Sequence, residues 1–104
     1  MNYKTVTLEL LQDQPQLYDR LKRDRLLLAA LEACSTDLRT RHLALARQLS
    51  QSRPEASLEQ TSLEAYEIAV HELHQRIEAA ALPDESIRAD QLIDFIRLHT
   101  PTGS

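Results

Sequence analysis

The sequence predicts a mainly α fold: a long helical hairpin followed by a short C-terminal helix, with one short β-strand at the N-terminus. Two observations carry the helical part. Leucines recur at heptad spacing (Leu17, Leu21, Leu28, Leu31, Leu38, Leu45, Leu49) inside a stretch, residues 16–53, that holds neither glycine nor proline. Such a repeat is the signature of an amphipathic helix with an apolar seam. Composition agrees: Leu and Ala dominate the apolar set, and the 104 residues include one Gly, one Phe and no Trp, which disfavours a β-sandwich. A chain of this length is one domain, assigned to residues 1–100, with 101–104 as a disordered tail.

The strand is read from Lys4 to Leu10, where Val6, Leu8 and Leu10 alternate with Thr5, Thr7 and Glu9. Period two and β-branched content suit a half-buried strand. Because a lone strand leaves its backbone groups unpaired, its expected partner is the same strand of a second copy. Pro15 fits the first turn of a helix, so the long helix is expected to start there and run to about Ser50 without a break. Heptad positions 24, 35 and 42 hold Asp24, Ser35 and His42, and such polar residues in a seam fix register or pair with a neighbour.

Pro54 ends that helix, since it cannot continue the hydrogen-bond ladder. Ser57 with Gln60 and Thr61 with Glu64 both have capping-box spacing, and the second helix is expected to start at one of them. Its predicted seam is Leu63, Tyr66, Val70, Leu73, Ile77 and Ala80. A short third helix is expected after Pro83, from about Asp90 through Leu98, closed by Pro101.

Charge divides the chain. Residues 1–53 hold nine Lys or Arg against six Asp or Glu, whereas residues 54–104 hold three against ten. Halves of opposite sign suit antiparallel packing within one chain. The densest basic cluster is Arg20, Lys22, Arg23 and Arg25, interrupted by Asp19 and Asp24.

Chemistry-bearing motifs are sparse. Cys34 is the single cysteine, which excludes an internal disulfide and a CxxC site, and it reads as a core residue. His71 and His74 share a stripe with Glu67 and Glu78, yet neither histidine has the Glu three residues before it that a di-iron bundle uses. No metal, cofactor or catalytic residue is assigned, and the chain is expected not to be an enzyme. No apolar run is long enough to cross a bilayer and no secretory signal opens the chain, so a cytoplasmic location is expected.

The opening Lys4–Leu10 segment followed by Leu17-Tyr18-Asp19-Arg20-Leu21-Lys22, together with Thr61–Val70, resembles ribbon-helix-helix regulators and antitoxins. The resemblance implies a DNA contact made by paired N-terminal strands through Lys4, Thr5, Thr7 and Glu9. The chain departs from the family by running some thirty helical residues beyond the point where a tight turn should come.

The function read from the sequence is a non-enzymatic interaction module, a small adaptor or antitoxin-like protein. It is expected to form a homodimer or bind a protein partner through Val6, Leu8, Leu10, Leu17, Leu21 and Leu28. DNA binding through the strand is the alternative.

Overall fold

The computed structural model describes residues 2–81 together with residues 91, 93, 94 and 96. Four helices follow one another: α1 Tyr3–Gln12, α2 Pro15–Arg23, α3 Leu27–Ser52 and α4 Leu58–Ala80. The hairpin of α3 and α4 is the body of the fold, and α1 lies along α3 with further contacts to α4. The long axis of the molecule measures 49 Å.

No β-strand occurs among the described residues, and the expected strand from Lys4 to Leu10 is part of α1. Local chemistry explains the difference. Asn2 caps the helix by accepting the Thr5 amide on its side-chain oxygen at 3.1 Å, the standard way to satisfy an orphan donor. Thr7, which favoured strand by its branching, donates its hydroxyl to the Tyr3 carbonyl at 2.8 Å and is thereby buried without an unpaired polar atom. The face turned inward is Tyr3, Val6, Thr7, Leu10 and Leu11, a helical set that the alternation of Val6, Leu8 and Leu10 concealed. A helix also pairs its own backbone, which removes the need for a second strand.

The single long helix from Pro15 to Ser50 is likewise corrected: it is two helices, α2 and α3, separated at Asp24–Leu26. Leu26 N–H donates to Leu21 O at 2.8 Å and Arg25 N–H to Lys22 O at 3.2 Å, the paired bonds of a Schellman ending. Arg25 occupies the left-handed position of that motif with φ 58°. Glycine or asparagine usually sits there, because a Cβ is crowded in this region. The following N-cap is Leu26, with no capping side chain.

Once the helix is split, the leucine ladder belongs to two segments with different phases. Leu17 and Leu21 of α2 are buried, and so are Leu38 and Leu45 of α3, but Leu28 is 70% exposed. The α3 core line is instead Ala30, Cys34, Leu38 and Leu45, with Ser35 and His42 beside it.

Pro54 and Ser57 behave as their chemistry requires. Helix α3 stops at Ser52, and the Ser57 hydroxyl accepts the Gln60 amide at 3.1 Å to start α4. Of the six positions expected to line the α4 seam, Leu73, Ile77 and Ala80 are buried and Leu63 is 56% exposed. In the first half of α4 the buried residues are Thr61, Ala65 and Ala69, whose small side chains let the two helix backbones approach closely. The Thr61 hydroxyl meets Ser50 of α3 at 3.3 Å in that narrow contact.

The expected third helix lies largely outside the described residues, as does the 101–104 tail; positions 91, 93, 94 and 96 are helical, and Ile96 is buried against the core.

Candidate functional site

The most connected polar group is His42 on α3, only 4% exposed. Its Nδ1 lies 2.9 Å from the Tyr3 hydroxyl of α1, and its Nε2 lies 3.0 Å from the Ser62 carbonyl oxygen and 3.2 Å from the Ser62 hydroxyl of α4. A carbonyl only accepts, so Nε2 carries the proton and Nδ1 accepts from Tyr3. The Tyr3 and Tyr66 rings flank the imidazole, with centroids at 5.9 and 5.5 Å. Burial, with lesser help from Glu9 and Tyr3, raises the Tyr66 phenol above its ordinary value.

Serine, histidine and tyrosine in line invite comparison with a nucleophile and its base. The chemistry differs. With its proton directed at the Ser62 carbonyl, Nε2 has no lone pair left to take a proton from the Ser62 hydroxyl, as a general base must. A tyrosine hydroxyl stands where an orienting carboxylate would be. What the arrangement does is join three helices through one side chain, which matches the pairing expected of a polar residue in the seam.

A second polar cluster crosses the hairpin further along. Arg41 of α3 grips Glu72 of α4 with two hydrogen bonds, Nε to Oε1 at 3.0 Å and Nη2 to Oε2 at 3.2 Å, largely away from solvent. Arg76, one turn beyond Glu72, is 5% exposed, and its Nε and Nη1 have no hydrogen-bond partner among the described residues. Burial pulls its guanidinium below the usual arginine value, and Glu72, Cys34 and Asp37 oppose that shift. Cys34 and Asp37 of α3 thus act on Arg76 of α4. Among the described residues no three His, Cys, Asp or Glu side chains are grouped to hold a metal ion. His74 pairs with Glu78 at 2.9 Å along its own helix, and His71 is exposed.

Near the α3–α4 turn, Arg53 pairs with Glu64 through both guanidinium ends. Their hydrogen bond raises the Arg53 value and lowers the Glu64 carboxyl below the ordinary carboxylate range.

The residues expected at an interface are scattered by the fold. Leu17 and Leu21 are buried inside the chain, Val6, Leu8 and Leu10 are half-buried, and Leu28 is open to solvent. Of the residues assigned to a DNA contact, Thr7 is fully buried, Lys4 is paired with Glu32 at 3.0 Å, and Thr5 and Glu9 are exposed. Since all four sit on α1, the strand-borne contact implied by the ribbon-helix-helix resemblance has no strand to carry it.

Sequence reasoning did not single out the exposed apolar side chains Leu43, Leu58 and Ile68 as surface features, and it placed Leu63 in the seam. Only the position of the small residues Ala65 and Ala69 on the opposite side of α4 could have signalled this. Comparison with known protein families, curated proteins and solved structures finds no match for this chain. None of the described helices is long and apolar enough to cross a membrane.

Proposed function

We propose that this chain is a non-enzymatic helical interaction module, a small cytoplasmic adaptor or antitoxin-like protein that self-associates through apolar helix faces. The observation that carries the reading is the set of large apolar side chains left outside on the hairpin: Leu43 of α3, and Leu58, Leu63 and Ile68 of α4. Scattered single leucines are ordinary on a protein surface, but three of these residues, Leu43, Leu58 and Leu63, are more than half exposed in helices whose inner faces are already packed. The polar groups argue the same way, because His42, Arg41 and Glu72 are committed to bonds between helices.

Because Leu17 and Leu21 are buried, this reading assigns self-association to the hairpin instead of the N-terminal segment. Light scattering over a concentration series tests this. The wild-type chain of 11.9 kDa should approach the mass of two copies, and L43S/L63S should return it to one. A wild-type mass of one copy at every concentration would refute self-association.

A further inference from the structure

The corner between α2 and α3 carries three exposed cations, Lys22, Arg23 and Arg25, and one exposed leucine, Leu28, within seven residues. None of the three cations has an ion-pair partner among the described residues. Leu26 and Leu27 are packed against the core, so Leu28 is the leucine that the corner leaves to solvent. Two of the cations have an ordinary explanation, since Lys22 and Arg23 lie in the last turn of α2, where positive charge complements the helix dipole. Arg25 does not. It stands at the left-handed residue of the helix ending, where glycine would relieve a strained backbone, and its side chain has no partner that could offset the strain.

Resting on the reading of this chain as an interaction module, we propose that this corner docks an acidic segment of a partner protein: a peptide with several carboxylates around one large apolar side chain. Charge complementarity selects the carboxylates, as Lys22, Arg23 and Arg25 outnumber the neighbouring Asp24. Leu28 selects the apolar anchor and favours a peptide over a nucleic acid, whose phosphates gain nothing from a bare leucine.

The probe is a fluorescein-labelled 14-residue peptide of Glu and Asp around a central Leu, titrated with the full chain at low salt and followed by anisotropy. Saturable binding is expected, weakened about tenfold or more by L28S, by R23E/R25E, or by serine in place of the peptide's leucine. R25G should weaken it about threefold while the chain stays folded, because glycine is at ease in that backbone conformation. Absence of saturable binding overturns the proposal, and so does binding indifferent to L28S and to the peptide's leucine. Equal or tighter binding of a single-stranded oligonucleotide or of phosphatidylserine vesicles, lost in R23E/R25E, assigns the corner to another class and overturns it too. Self-association measured by light scattering uses different residues, so failure of peptide binding leaves the broader function separately judged.

Discussion

Replacing Arg25 by glycine should make this protein more stable. Arg25 sits at φ 58°, held there by the hydrogen bonds Leu26 N–H to Leu21 O and Arg25 N–H to Lys22 O that close α2. A residue with a Cβ in this region costs about 1–2 kcal/mol. Glycine removes that cost but gives back roughly 0.5–1 kcal/mol through its greater freedom in the unfolded chain. The expected net gain is about 0.5–1 kcal/mol. For a domain of this size, that corresponds to a rise in Tm of about 2–8 °C. Thermal and urea unfolding followed by circular dichroism would measure it. Arg25→Ala is the control: alanine keeps the Cβ, so it should stay within about 0.5 kcal/mol of wild type, as expected for an exposed side chain. A fall in Tm for Arg25→Gly would show that the guanidinium contributes to folding, and the account of the corner as strained and unpaired would fail.

Four other outcomes follow from the polar groups that join the helices. Tyr3→Phe deprives His42 Nδ1 of its donor and should destabilise the fold by about 1–3 kcal/mol in urea titrations, the cost of leaving a buried acceptor unsatisfied. Glu72→Gln removes the carboxylate that pairs with Arg41 and whose charge acts on the buried Arg76, and should cost about 2–4 kcal/mol, whereas Arg76→Met should cost little or stabilise, since two of its nitrogens are unpaired. Glu64 has its carboxyl lowered by Arg53, so its contribution is present above the unfolded carboxylate pKa and is lost as pH falls through the lower folded value. Glu64→Gln should therefore flatten the loss of Tm on acidification below the ordinary carboxylate range, by a small amount because the pair faces solvent.

The hairpin was legible because its punctuation is unambiguous. Pro54 stops one helix, and the Ser57 hydroxyl three residues before Gln60 starts the next. The corner at Asp24–Leu26 was not, because neither of its signals is present: the C′ residue is an arginine where glycine is usual, and the next helix opens on Leu26, which caps nothing. The N-terminal segment was misread for another reason. Val6 and Leu10 satisfy both periods, and the residue that decides between them, Thr7, is polar; it is buried only because its hydroxyl bonds back to Tyr3. On α4 the error was one of size. Leu63 outranks Ala65 in hydropathy, yet the narrow space against α3 admits the alanine. Among the sites, His42 was recognisable as a polar residue in an apolar stripe, but its partners Tyr3 and Ser62 lie 39 and 20 residues away in sequence and only the fold brings them together.

The His42 link also bears on how the molecule opens. Helix α1 has 10 residues, too short to persist in water by itself. Its N-terminal turn, which would ordinarily fray first, is the turn that holds Tyr3, bonded to α3 and through the same imidazole to α4. Detaching that end exposes a buried imidazole and loosens the hairpin beneath it. The amide protons of α1 should therefore exchange with solvent in step with those of the hairpin, as one cooperative unit, and not as a separately melting arm.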